Sequence, residues 1–215
     1  MRPIGVFGGT FDPIHYGHLR PALEILQALR LAEVRFIPCG DPPHRARPEA
    51  PAEFRYQMVK AAVADQPGFV VDDLELRRKG PSYTTDTLVS LKEVHGDVPL
   101  CLLLGMDAFL GLSRWHEWRR LFDLAHIVVA HRPGWTYEGD GPLDAEMESR
   151  YTDRVADLHA APAGRIFTQE VTQLEISSTA IRSALARGES ARYLMPDSVF
   201  KLIQTSHHYR EATGT

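Results

Sequence analysis

Long apolar runs, cysteine and an excess of either charge are what this sequence has least of. None of its 215 residues belongs to an apolar stretch approaching the ~20 needed to cross a bilayer as a helix, so no membrane partner is expected. Its two cysteines, Cys39 and Cys101, sit in separate apolar segments with no ligand spacing. That pattern fits reduced thiols in a cytoplasmic protein rather than a disulfide framework. Net charge is -4 with acids and bases interspersed, which argues against a nucleic-acid partner. The chain enters a strand pattern almost at once, so no signal peptide is expected. There is no G-x-x-x-x-G-K-[ST] phosphate loop, no G-x-S-x-G nucleophile turn, and no internal repeat or low-complexity tract. What remains is an ordinary hydrophobic fraction, 44%, in a length that suits one domain with a sizeable core.

Strand and helix patterns then alternate along the chain. Ile4 to Phe7 reads as a short buried strand, and Leu19, Ala22, Leu23 and Leu26 as a helical stripe. Glu33–Pro38 and Phe69–Val71 read as strands, the latter extended by Leu74 to Leu76. Ala52–Asp65 reads as a helix between them. A helix capped by Ser82 runs to Val94. Pro99–Leu104 is the most continuous apolar run, as expected of a strand buried on both faces. A helical, Trp-bearing segment follows over 108–124, then a strand at His126–His131. A polar helix spans Ala145–Leu158, a strand Arg165–Thr168, and two helices close the chain, one opening at Ile176–Arg182 and one after Pro196. This alternation predicts an α/β fold, a doubly wound parallel sheet with helices on both faces. Such sheets bind ligands at the carboxyl ends of their strands. Gly8–His18, Pro42–Arg45, Gly105-Met106-Asp107 and His131-Arg132-Pro133 all fall there.

Gly8-Gly9-Thr10-Phe11-Asp12-Pro13-Ile14-His15-Tyr16-Gly17-His18 is a strand end, a glycine turn and a helix start. Small residues let backbone approach an anion, and a helix start offers unpaired N–H groups. His15 and His18 add donors that are charged or neutral near pH 7. Neither has a carboxylate or cysteine at metal-ligand spacing, so no zinc site is expected. Asp12 reads as a turn cap rather than a ligand. Without a protein nucleophile, the segment suits a reaction whose nucleophile comes from substrate. Pro21 is tolerated only in a first helical turn, which places the start of that helix no earlier than His18. Ile176-Ser177-Ser178-Thr179 and Arg182 form a second anion-friendly helix start, with hydroxyls at the cap and a planar guanidinium one turn in. Taken alone it is equally a plain cap.

These two motifs, in this order, resemble the nucleotidyltransferase superfamily with H-x-G-H and I-S-S-T-x-x-R signatures. The resemblance implies a Rossmann-like sheet. It also implies attack by a substrate phosphate on the α-phosphate of a nucleoside triphosphate, with Mg2+ and release of pyrophosphate. Gly80-Pro81-Ser82-Tyr83-Thr84-Thr85-Asp86-Thr87-Leu88, Gly105-Met106-Asp107-Ala108-Phe109, Trp115-His116-Glu117-Trp118 and Arg192–Val199 are similar to the bacterial nicotinate-nucleotide adenylyltransferase family. That implies ATP plus nicotinate mononucleotide giving deamido-NAD, in pyridine nucleotide biosynthesis. Residues 1–215 would be one domain, with about 176–215 a C-terminal helical part carrying the second phosphate motif.

Site residues follow from the resemblance. His15 and His18 are the catalytic pair. Gly8, Gly9, Thr10, Phe11, Gly105, Asp107, Ile176, Ser177, Ser178 and Arg182 join them around ATP. Thr10, His44, Arg45, Tyr83, Thr84, Asp86, Trp115 and Arg132 would surround the mononucleotide. The residue chemistry is compatible: Trp115 can stack on a flat ring, and Tyr83-Thr84 can offer backbone N–H groups to its carboxylate. Asp107 is a ribose or adenine partner or a helix cap. Asp86 caps or orients the Tyr83 loop, and Arg45 is a phosphate contact or a solvated charge. Trp118 and Phe109 read as core. Three alternatives stay open: adenylyl transfer to nicotinamide mononucleotide, transfer to phosphopantetheine, and a non-catalytic nucleotide sensor. A homo-oligomer stays open as well.

Overall fold

The apolar run at residues 100–104 becomes the strand next to the centre of a six-stranded sheet, in a computed structural model that describes residues 1–42, 47–134, 137 and 141–209. Strands β1 (Ile4–Gly9), β2 (Glu33–Pro38), β3 (Phe69–Val71), β4 (Leu100–Gly105), β5 (His126–His131) and β6 (Ile166–Glu170) are all parallel, in the order β3-β2-β1-β4-β5-β6. The order reverses between β1 and β4. Around the sheet lie α1 (Tyr16–Ala28), α2 (Ala52–Val63), α3 (Leu74–Arg77), α4 (Thr84–His95), α5 (Met106–Leu110), α6 (Leu121–Leu124), α7 (Asp144–Arg150), α8 (Val155–Ala160), α9 (Ser178–Ala186) and α10 (Asp197–Thr205).

The period-2 geometry of a strand sends neighbours to opposite faces. Cys101 and Leu103 of β4 and Val128 of β5 join a core with α1, α2, α9 and α10. Leu100, Leu102 and Leu104, with Ile127 and Val129, join a second core under α4, α5 and α6. Each fully buried Leu or Ile contributes roughly 1.5–3 kcal/mol. Covering both faces this way is what makes the sheet doubly wound.

Five local expectations change. Leu74–Leu76 does not extend β3. The Leu74 amide donates to Asp72 Oδ1 at 2.9 Å, and the chain turns into α3. Ser82 does not cap α4; Tyr83 occupies the cap, and the Ser82 hydroxyl accepts the Gly40 amide at 3.0 Å. The 108–124 segment is broken, with 3-10 turns at Leu112–Arg114 and Trp118–Arg120 and Glu117 in the left-handed region at φ 48°. The 145–158 helix is also broken. Around Tyr151 the chain runs beside β6, and the Thr152 amide donates to the Ile166 carbonyl at 2.9 Å. Finally, α1 begins at Tyr16 with His15 as its cap and carries Pro21 in its interior. Pro21 lacks the N–H that would bond the Gly17 carbonyl, so the helix runs through that position one bond short.

Candidate active site

At the switch between β1 and β4 the strand ends open into two adjoining chambers, of about 1040 and 420 Å³. Both are lined by Gly8, Gly9, Thr10, Leu104, Asp107 and Trp115, so the end of β1 is their common wall.

The large chamber is built on the turn from β1 to α1. Phe11 holds φ 48°, a costly conformation for an aromatic residue. It is paid for by burial: the ring meets Phe7 and His18 edge-on, with centroids 5.6 and 5.2 Å away. A Cβ on Gly9 would lie 2.8 Å from that ring, which leaves room only for glycine. Phe11 thus supports the turn from beneath while touching the chamber. Asp12 is buried, and the Glu49 and Ala50 amides and the Tyr209 hydroxyl all donate to its carboxylate, at 2.8, 3.2 and 2.6 Å. The bond between Asp12 and Pro13 is cis.

His15 and His18 divide their work. Their rings stack with centroids 3.8 Å apart. His18 lines the large chamber, and its Nδ1 accepts the His15 amide at 3.3 Å, which puts the proton of the neutral ring on Nε2. His15 is 4% exposed and does not line the chamber. Its Nδ1 has no hydrogen-bond partner among the described residues, and burial lowers its pKa to about 4. The expectation that both imidazoles titrate near pH 7 therefore does not hold for His15, which is neutral there. A Cβ on Gly17 would lie 2.9 Å from the His15 ring and 3.1 Å from the Ile176 carbonyl, so this glycine permits the close approach of α1 to the 176 segment.

From the opposite side, α9 presents Ser178, Thr179 and Arg182 to the same chamber. The Ser178 hydroxyl donates to the Pro13 carbonyl at 3.0 Å. Arg182 donates through Nη1 to the Asp12 carbonyl at 2.8 Å and through Nε to Glu49 at 2.6 Å. Ile176 and Ser177 stand behind this wall rather than in it. Ser177 is the helix cap, its side chain accepting the Ala180 amide at 3.2 Å.

Tyr83, Thr84, Arg114, His116, Cys39 and Glu75 line the small chamber with the shared Trp115. Tyr83 and His116 stack at 4.2 Å, and Thr85 Oγ1 donates to the His116 carbonyl at 3.0 Å. These contacts tie the start of α4 to the Trp115 segment. Burial pushes the Cys39 thiol up, so it is protonated near neutral pH. Asp107 sits in the first turn of α5 and faces both chambers. Gly105 caps α5 and lines the large chamber only. Two expected neighbours of the small chamber lie elsewhere. Asp86 is exposed on α4 and lines neither chamber, because the helix turns it outward. Arg132 lines the large chamber, where its Nε donates to Gln173 at 2.7 Å. His44 and Arg45 lie outside the described residues.

Sequence reading missed Arg55 on α2, 1% exposed. It donates to the carbonyls of Thr10 at 2.7 Å, Cys39 at 2.6 Å, Gly40 at 3.4 Å and Ala50 at 3.2 Å. One guanidinium thereby holds the segments after β1 and β2 and the start of α2. A signal existed: Arg55 shares the i, i+3, i+4 face of Met58 and Val59, both fully buried.

Comparison with known proteins follows the same lines. Residues 6–184 match the family model described as Cytidylyltransferase-like. A protein of Methylococcus capsulatus named "Probable nicotinate-nucleotide adenylyltransferase" is 52% identical over 96% of this chain and 99% of its own. One of the same name from Aeromonas hydrophila is 51% identical over 98% of each chain. Among solved structures, the nicotinic acid mononucleotide adenylyltransferase of Plasmodium falciparum complexed with NaAD superposes with a TM-score of 0.69. It covers 95% of each chain at 18% identity, a likeness of fold.

Proposed function

The chain belongs to the cytidylyltransferase-like family, and within it to the nicotinate-nucleotide adenylyltransferases, and from that premise we propose how its two chambers carry out adenylyl transfer. ATP and nicotinate mononucleotide react to give deamido-NAD and pyrophosphate, a step of pyridine dinucleotide biosynthesis. The observation that carries this reading is the shared wall. Two chambers of different chemistry meet along Gly8-Gly9-Thr10, so two phosphates brought from opposite sides meet there.

ATP occupies the large chamber. Its triphosphate lies between the start of α1 with His18 and the start of α9 with Ser178, Thr179 and Arg182. In taking it, Arg182 exchanges Glu49 for a phosphate. The nucleoside reaches toward Gly105 and Asp107. Nicotinate mononucleotide occupies the small chamber, with its ring on Trp115 and its carboxylate at the Thr84 amide, the Tyr83 amide being turned to the Pro81 carbonyl at 3.2 Å. Its phosphate oxygen attacks the α-phosphorus in line, and the bond to the β-phosphate oxygen breaks. Negative charge moves to the leaving pyrophosphate. His18, which lines the large chamber at the start of α1, stabilises it without reorganising. His15 acts through His18, as the surface on which that ring rests. Residues 1–215 work as one domain, with about 176–215 supplying the second phosphate contact.

Magnesium fits this site as a companion of the triphosphate. The Asp12 carboxylate is already taken by two amides and a phenol, and among the described residues no cluster of three acidic, His or Cys side chains could hold a metal. Substrate oxygens and water would supply most of its shell, with Asp107 facing the shared wall. Bound there, it would neutralise phosphate charge. Among the described residues no helix is long and apolar enough to cross a membrane.

The test is pyrophosphate release from ATP with nicotinate mononucleotide, nicotinamide mononucleotide or phosphopantetheine at equal concentration. Preference for nicotinate mononucleotide is expected. Equal or reversed preference overturns the substrate assignment.

A further inference from the structure

Glu75 is 6% exposed, yet it lines the small chamber. Burial pushes its carboxyl up, against the hydrogen bond from the Thr87 hydroxyl that holds it down. Nothing in the adenylyl transfer described above uses it.

Its contacts converge on one segment. Thr87 Oγ1 lies 2.6 Å from Glu75 Oε1, 3.1 Å from Arg78 Nη2 and 3.3 Å from the Tyr83 carbonyl. A hydroxyl has one proton, and the short contact to the carboxyl takes it. Thr87 therefore donates to Glu75 and accepts from Arg78. Arg78 Nη2 also reaches the Tyr83 carbonyl at 3.3 Å. On the other side, the Ser82 hydroxyl accepts the amides of Gly40 at 3.0 Å and Asp41 at 3.3 Å. The backbone locks into the same place: a Cβ on Gly40 would lie 2.7 Å from the Glu75 carbonyl. The Glu75 carboxyl thus pins Thr87 after the cap of α4, and the Glu75 backbone abuts Gly40, which holds Ser82 before the cap, with Tyr83 and Thr84 between.

We propose that Glu75 is a positioning residue for the mononucleotide. Through Thr87, whose hydroxyl also meets Arg78 and the Tyr83 carbonyl, it fixes the Tyr83-Thr84 backbone at which the ring carboxylate is recognised. The inference rests on the reading of the small chamber as the mononucleotide site. It is selective because Glu75 lines only that chamber, and no part of its network reaches His18, Ser178 or Arg182. Loss of the network should loosen one substrate and leave the other.

Steady-state kinetics with each substrate varied in turn test it, on wild type, Glu75→Ala, Glu75→Gln, Thr87→Val and the double variant Glu75→Gln/Thr87→Val. Glu75→Ala is expected to raise KM for nicotinate mononucleotide about tenfold, with KM for ATP within about twofold of wild type. Glu75→Gln keeps one acceptor and should fall between. Thr87→Val removes the donor, and the double variant should show less than the product of the single effects, because both break one network. If Glu75→Ala fails to fold, Glu75→Gln and Thr87→Val carry the same test. A parallel rise in both KM values, or no change in either, overturns the inference while wild type still turns over nicotinate mononucleotide. A wild type that does not use nicotinate mononucleotide overturns the substrate reading, and the inference with it.

Discussion

The imidazoles of His15 and His18 stack 3.8 Å apart, and only His18 lines the cleft. Two histidines three residues apart thus form a cleft-facing ring and a buried supporting ring beneath it. On the proposed mechanism, replacing His18 with Ala removes one preorganised donor to the leaving pyrophosphate, an effect of about 10²–10³ in turnover. Thermal unfolding should stay close to wild type. Turnover within a few fold of wild type would show that the donor lies elsewhere.

The supporting ring makes stability depend on pH. Burial lowers the His15 pKa from 6.5 to about 4, so the folded protein binds fewer protons than the unfolded chain between those values. The contribution is complete above pH 6.5 and is lost progressively as pH falls toward about 4, by roughly 2–4 kcal/mol in total. Urea midpoints for wild type and His15→Asn between pH 7.5 and 4 should diverge, with wild type losing more on acidification. Parallel profiles would remove His15 as the cause.

Gly17→Ala tests the approach that Gly17 permits. The added methyl meets the His15 ring at 2.9 Å and the Ile176 carbonyl at 3.1 Å, and the carbonyl belongs to backbone. Relief by moving the ring disturbs the stack under His18. We expect a loss of about 1–3 kcal/mol in stability and a fall in turnover of about tenfold or more. Stability and turnover both at wild-type levels would mean that the segment at Ile176 yields freely.

Arg55 is a buried charge satisfied by carbonyls alone among its hydrogen-bonded oxygens. Arg55→Leu leaves the Thr10 and Cys39 carbonyls without their short donors, at a cost of about 3–5 kcal/mol in urea denaturation. Arg55→Lys keeps the charge but loses the fork, and should fall between. A loss under about 1 kcal/mol for the leucine variant would show that water replaces the guanidinium.

The helix over 145–158 shows where sequence reading reached its limit. Its apolar spacing is compatible with one helix, but the Thr152 amide finds the Ile166 carbonyl, and that partner is invisible locally. Ser82 is a similar case: its cap potential is local, whereas the amide it meets, that of Gly40, is 42 residues away. His18, Arg182 and Trp115, expected in the site from the two motifs and the resemblance, all line the large chamber. Arg55 and Glu75 were not legible, because a charged side chain reads as solvent-facing until burial is known.

By itself the sequence determined the six strands and their wrapping, through apolar periods of two and of three to four that local sterics translate directly into strand and helix. It also determined the strand-end positions of the Gly8–His18 and Ile176–Arg182 motifs. Tertiary structure alone decided which histidine faces the cleft, that two chambers share the end of β1, and that Arg55 and Glu75 hold the segments around them. Those outcomes depend on contacts between residues far apart in the chain, where burial changes what a charge or an imidazole can do.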